Sequence, residues 1–151
     1  MSVDGEMLRL AIEQAEIGRE EGGIPIGAVL AVGTTVLGAG RNRRVQLGSA
    51  IRHGETDALE QAGRLPASTY AAATMYTTLS PCHMCTGAIL LYGIRRVVIG
   101  ENRTFLGAED LLRAHGVEVV NADSSRCVEL MQSFIAAHPS LWLEDIGEVD
   151  G

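Results

Sequence analysis

The pairing of His53-Gly54-Glu55 with Pro81-Cys82-His83-Met84-Cys85 constrains this chain more than any other feature. It supplies one imidazole, two thiolates and a separate carboxylate, the inventory of a hydrolytic zinc site. Three protein ligands on a tetrahedral zinc, here His53, Cys82 and Cys85, leave one position open for water. The spare carboxylate, Glu55, can then carry that water's protons. A fold that serves this chemistry must bring together two segments whose starts, His53 and Pro81, lie 28 positions apart. Two other readings compete. A thioredoxin-like redox CxxC would leave the His-x-Glu element without a purpose. A closed structural zinc would need a fourth ligand, for which Cys127 is the candidate.

The hydrophobic pattern predicts how the segments are carried. A helix is expected over 4–21, stopping at Gly22-Gly23. Strands over 26–32 and 35–41 form a hairpin at Gly33-Thr34. Beyond it, helices over 53–62, 81–92, 109–115 and 123–137 alternate with strands over 74–78, 96–100 and 117–120, and a tail holding Trp142 ends the chain. That order predicts a three-layer α/β/α fold with a central five-stranded mixed sheet, in one domain over 1–151. Cys82 and Cys85 fall in the first turn of one helix, three positions apart, so their sulfurs share a side. The free N–H groups there favour thiolate. His53 and Glu55 open the preceding helix and diverge, so one can bind metal while the other reaches over a substrate. The run Thr86 to Tyr92 is apolar nearly all round. It predicts a helix buried on every side, within the monomer or partly beneath a second subunit.

Charge narrows the partners. The net charge is −7, and the only basic knot is Arg41, Arg43, Arg44 and Arg52, read as a solvated loop paired to carboxylates. A protein that grips nucleic acid shows a basic face, so the expected partner is a small neutral molecule and not nucleic acid. The first 21 residues intersperse charged with apolar residues and do not read as a signal peptide. No apolar run approaches a membrane span. The three cysteines, two of them in the CxxC, fit a reducing cytoplasm.

The His-x-Glu and Pro-Cys-x-x-Cys pairing is the signature of zinc-dependent nucleobase deaminases. The chain resembles, over nearly its whole length, the fungal-type cytosine deaminases of the cytidine deaminase superfamily. The likeness runs through Glu21-Gly22-Gly23-Ile24-Pro25-Ile26-Gly27, the zinc motifs, Tyr76-Thr77-Thr78-Leu79-Ser80-Pro81-Cys82, Tyr92-Gly93-Ile94, and Trp142 with Glu144-Asp145-Ile146-Gly147-Glu148. The resemblance implies a homodimer with one zinc per subunit that converts cytosine to uracil and ammonia through a zinc-bound hydroxide. It makes Glu55 the proton shuttle and Asn42 the holder of the pyrimidine carbonyl, helped by the N–H of Gly54. It makes Asp145 the carboxylate facing the exocyclic amine and gives the Ser80 carbonyl to the leaving group. Ile24, Phe105 and Trp142 then line or lid the pocket. His83 between the cysteines and Leu143 beside Trp142 depart from the family pattern, which leaves creatinine, guanine or another amino-substituted ring as the alternative substrate. From the residues alone, Asn42 reads equally as a turn residue bonding its own backbone, Asp145 as solvated and Trp142 as a pin for the tail.

Overall fold

Alternation along the strands decides the layers. The computed structural model describes residues 2–149, and the remaining ends of the expected 1–151 domain lie outside the described residues. In β1 (Gly27–Val32), Ala28 and Leu30 serve one core while Val29 and Ala31 serve another, as the two-residue period of a strand requires. β3 (Thr74–Thr77) and β4 (Arg96–Ile99) divide the same way: Met75, Val97 and Ile99 on one face, Tyr76 and Val98 on the other. The first face is covered by Ala58 of α3 (Gly54–Ala62), Ile89 of α5 (His83–Leu91) and Leu112 of α6 (Glu109–Ala114). The second is covered by Met7, Leu8 and Ala11 of α1 (Val3–Glu20). Each fully buried Leu, Ile or Met contributes roughly 1.5–3 kcal/mol relative to exposure.

The sheet order is β2-β1-β3-β4-β5, with β2 at Thr35–Arg41 and β5 at Glu118–Asn121. β1 runs antiparallel to both neighbours, whereas β3, β4 and β5 are mutually parallel. This is the expected three-layer architecture with a five-stranded mixed sheet. The pairings Gly27↔Arg41, Ala28↔Thr77 and Thr77↔Ile99 bring the C-terminal ends of β2, β3 and β4 to one edge. The segments carrying Asn42, Ser80 with Cys82, and Phe105 therefore leave the sheet side by side. Ligand sites of α/β folds gather at such strand ends.

α3 lies unusually close to β2 because β2 carries glycine at 38 and 40. A Cβ on Gly40 would strike the backbone N of Ala58 and lie 2.6 Å from the carbonyl carbon of Asp57.

Three short helices were not expected: α2 (Arg44–Leu47), α4 (Ala67–Ala72) and α8 (Pro139–Asp145). None is long enough to display a 3.6-residue period. α2 is started by the Asn42 side chain, whose Oδ1 accepts the Arg44 N–H at 3.1 Å. α8 replaces the expected tail and has proline in its first turn, where the ring's fixed φ suits a helix start. α7 (Ser125–Ala137) completes the fold, and its Met131 and Phe134 join Ile24, Ile26, Leu79 and Trp142 in a third core beneath the strand ends.

α5 corrects one expectation. Its inner residues Cys85, Thr86 and Ile89 are buried, but Leu91 is 74% and Tyr92 45% exposed. The helix is apolar nearly all round yet covered on one side only. Among the described residues, no helix is long and apolar enough to cross a membrane.

Candidate metal centre

His53 and Cys82 occupy equivalent positions on two converging helices. Each is the N-cap of its helix, with extended backbone (ψ 171° at His53 and 175° at Cys82), and neither side chain caps its own helix. Both point into the gap between the helix ends. His53 Nδ1 lies 3.4 Å from Cys82 Sγ and 3.7 Å from Cys85 Sγ. Regular tetrahedral coordination, with Zn–N near 2.05 Å and Zn–S near 2.3 Å, requires an N···S edge of about 3.6 Å. The donor set therefore fits zinc in chemistry and in spacing. Among the described residues these three form the only such group of His, Cys, Asp or Glu ligands. Cys127 is not in it: its sulfur is buried against Gly100, so the closed four-ligand staple is not formed.

The protons at this centre follow from the same contacts. Burial lowers the pKa of His53, but the Asp145 carboxylate and Cys82 outweigh it and raise the value to about 10. The hydrogen bond from Cys85, opposed by burial and helped by His53, brings Cys82 down to about 4. The same sulfur–sulfur bond, with burial and Glu55 behind it, raises Cys85. The sulfur–sulfur contact thus favours thiolate at Cys82 over Cys85. Glu55 is buried in the first turn of α3. Burial first, and the Cys82 charge second, raise it to about 7, where a carboxyl can both give and take a proton near neutrality.

His53 has its other ring nitrogen toward Asp145, with Nε2 3.5 Å from Oδ1. A carboxylate in that position orients a metal-bound imidazole and fixes its tautomer. Asp145 ends α8 and its side chain is 1% exposed. Its two oxygens accept from Asn42 Nδ2 at 3.2 and 3.1 Å, and Oδ1 also accepts from Arg44 Nη1 at 3.1 Å. Asn42 is fully buried. Its Oδ1 makes the turn bond read from the sequence, while its amide reaches 103 positions along the chain to Asp145.

A narrow cavity opens beside this pair. His53, Glu55, Ser80, Cys82 and Asp145 form its polar side, and Ile26, Leu79, Phe105, Trp142 and Ile146 its apolar side. Phe105 and Trp142 meet edge to face at 5.8 Å. Of the residues named from the sequence, Asn42, Gly54 and Ile24 are not in its lining: Asn42 is fully buried with its amide on Asp145, and Ile24 packs wholly within the third core, while Ile26 two positions on lines the cavity instead. Gly54 opens α3 between His53 and Glu55, so its N–H has no intrahelical carbonyl to bond. Ser80 uses its hydroxyl structurally, donating to Glu109 Oε2 at 2.6 Å and accepting from Gly107 N–H at 2.9 Å. The sequence reading missed Ile26, Leu79 and Ile146. All three stand inside the stretches that carry the family likeness, but nothing in their own pattern separates a cavity wall from core.

The arginine knot is committed internally. Arg41 pairs with Glu21, Arg44 with Glu144 and Asp145, and Arg43 and Arg52 with Asp57. The loop is not solvated as the sequence suggested, since these side chains are only 15–26% exposed. His83 stands exposed at the start of α5 near the mouth of the cavity.

Comparison with known proteins adds identity to this geometry. Residues 1–101 match the family described as the cytidine and deoxycytidylate deaminase zinc-binding region. A cytosine deaminase of Candida albicans is 58% identical over 146 residues, covering 96% of this chain and 97% of that protein. A tRNA-specific adenosine deaminase of Streptococcus pyogenes is 32% identical over 134 residues, covering 82% and 84%. Among solved structures, a tRNA:A34 deaminase superposes with TM-score 0.72 at 28% identity, over 83% of this chain and 99% of the other. A guanine deaminase from Nitrosomonas europaea has the same fold, with TM-score 0.72 at 20% identity over 90% and 86%. The chain belongs to the cytidine and deoxycytidylate deaminase family, as a zinc-dependent hydrolytic deaminase acting on C–N bonds.

Proposed function

We propose that this chain hydrolyses cytosine to uracil and ammonia, with His53, Cys82 and Cys85 holding the zinc and Glu55 moving the protons. The observation that carries the reading is Asp145, a buried carboxylate beside His53 that faces one small cavity and holds the Asn42 amide. The 58% identity to the Candida cytosine deaminase supports the same substrate. Creatinine and guanine draw no comparable support, because the likeness to the guanine deaminase extends to the fold alone.

Zinc in this donor set supplies the Lewis acidity that makes water nucleophilic near neutral pH. Glu55 takes one proton from the attacking water and delivers it to the ring nitrogen N3, making C4 electrophilic. The water oxygen bonds to C4, and Glu55 passes the second proton to the exocyclic nitrogen. The C4–N bond then breaks, and ammonia leaves. Asp145 accepts from the exocyclic amine, and the Ser80 carbonyl receives the departing ammonia. One Asn42 amide hydrogen stays with Asp145 while the other turns to the pyrimidine carbonyl, assisted by the Gly54 N–H. Phe105 and Trp142, backed by Ile24, close the apolar side and exclude bulk water. The experiment is ammonia release from cytosine by the zinc-loaded protein. Wild type turns over cytosine far faster than creatinine. Glu55→Gln keeps zinc but loses activity by ~10²–10⁴-fold or more. Equal activity of the two proteins, or a preference for creatinine, refutes the reading.

The same proposal includes a homodimer. The open side of α5, with Leu91 and Tyr92, borders a groove that also holds Ile51, Leu59, Leu65 and Tyr70. A second copy of this chain is its occupant.

A further inference from the structure

The Asn42 segment and the His53 segment are joined through one buried carboxylate that does not reach the cavity. Asp57, in the first turn of α3, is fully buried. Its Oδ2 accepts from the Arg41 backbone N–H at 2.9 Å and from Arg43 Nε at 3.0 Å. Its Oδ1 accepts from Arg52 Nε at 3.0 Å and Nη2 at 2.5 Å. One oxygen is thus tied to both chain neighbours of Asn42, and the other to the residue immediately before His53. Backbone bonds close the frame: Asp57 N–H to the His53 carbonyl at 2.8 Å, and Arg43 N–H to the Arg52 carbonyl at 2.9 Å. Gly40, lacking a side chain, lets the carboxylate sit there at all: a Cβ on it would lie 2.8 Å from Asp57 Oδ2.

We infer that Asp57 is a positioning residue that holds the Asn42 amide in register with His53, so that affinity for the pyrimidine depends on a charge the substrate never touches. The inference rests on the cytosine reading given above. Stability is a weak reason for such a group. A buried carboxylate shared by two guanidiniums loses most of its Coulombic gain to desolvation, and apolar replacements of such triads are often neutral or better. Geometry is a strong reason. Two N–H groups of the planar Arg52 guanidinium on Oδ1, with Arg43 Nε and the Arg41 N–H on Oδ2, fix direction as well as distance, and a displacement of about 1 Å at a substrate-positioning group can cost ~10²-fold. Asn42 contacts the ring in ground state and transition state alike, so its loss of register raises KM and leaves kcat nearly unchanged.

The test is Asp57→Asn in the zinc-loaded protein, read by zinc content, cytosine kinetics and uracil binding. Uracil binding is followed through the fluorescence of Trp142, the only tryptophan of the chain, which lines the cavity. The expected result is one zinc per chain, a KM and a uracil Kd each raised ~10–100-fold, and kcat within about threefold of wild type. A folded, zinc-loaded Asp57→Asn with wild-type KM and uracil Kd overturns the role, as does a fall in kcat at unchanged KM. Arg43→Met is the second variant. It removes the side-chain tie on the Asn42 side, leaving the Arg41 N–H and Arg52 on the carboxylate, and it should raise KM and uracil Kd in the same direction. If Asp57→Asn does not fold, unchanged values in Arg43→Met overturn the role. Wild type that fails to deaminate cytosine overturns both this role and the proposed function. Wild type that turns over cytosine beside indifferent variants overturns this role alone.

Discussion

Replacing Ser80 by alanine removes one oxygen from beneath the cavity and should cost the fold about 3 kcal/mol. The hydroxyl is buried and doubly engaged, donating to Glu109 Oε2 at 2.6 Å and accepting the Gly107 N–H at 2.9 Å. A hydrogen bond to a charged group contributes roughly 1.5–3 kcal/mol and one between neutral groups roughly 0.5–1.5 kcal/mol. Glu109 cannot recover the loss from its remaining contacts, because Asn102 at 3.3 Å and Arg113 at 3.4 Å are both long. For a chain of this size, 1 kcal/mol moves the melting temperature by about 2–4 °C, so Ser80→Ala should melt about 10 °C below wild type. Urea unfolding of zinc-loaded wild type, Ser80→Ala, Glu109→Gln and the double variant checks the reasoning. The expected coupling between the two sites is about 1.5 kcal/mol or more, well outside the additivity of distant sites. A Ser80→Ala cost below about 1 kcal/mol, or strictly additive effects, would refute the buried relay.

Zinc uptake should release protons. At pH 7.5 the raised His53, with a pKa of about 10, and the raised Cys85 hold protons that zinc must displace, whereas Cys82 at about 4 has none to give. About two protons should leave per zinc, so affinity should fall ~100-fold per unit as pH drops. Calorimetry in buffers of different ionisation enthalpy reads the number, and a value near zero contradicts the assignment. Gly40→Ala forces a Cβ onto Ala58 N and the Asp57 backbone. A loss of roughly 1–3 kcal/mol or more, with weakened zinc retention because α3 carries His53, is expected by urea unfolding and metal analysis. Leu91→Glu should convert the proposed dimer to monomer in light scattering while leaving the far-UV circular dichroism unchanged, and a wild-type monomer would remove the groove as an interface.

Much of the fold was readable because its signals are local. The short apolar and β-branched runs of β1, β3 and β4 and the apolar face of α1 are written into neighbouring residues. The short α2 and α8 were not readable as helices, since one starts from a side-chain bond and the other spans two turns at most. The open side of α5 was one of two alternatives, cover within the monomer or by a second subunit, between which the sequence could not choose. An apolar surface covered by a partner and one covered by the same chain have the same composition.

What the sequence by itself determined is the chemistry on offer. His53, Glu55, Cys82 and Cys85 are ligand and proton-carrier types at spacings that leave few other uses, because coordination number and helix geometry restrict where such groups can stand. What only the tertiary structure decided is which distant groups meet them. Asn42 and Asp145, 103 positions apart, close on each other because α8 folds back over the strand ends. Asp57 gathers Arg41, Arg43 and Arg52 because Gly40 lets α3 approach β2. Each of these residues taken alone reads as an ordinary polar group. Their roles arise from burial and convergence, which depend on the packing of segments that carry no mark of one another in the chain.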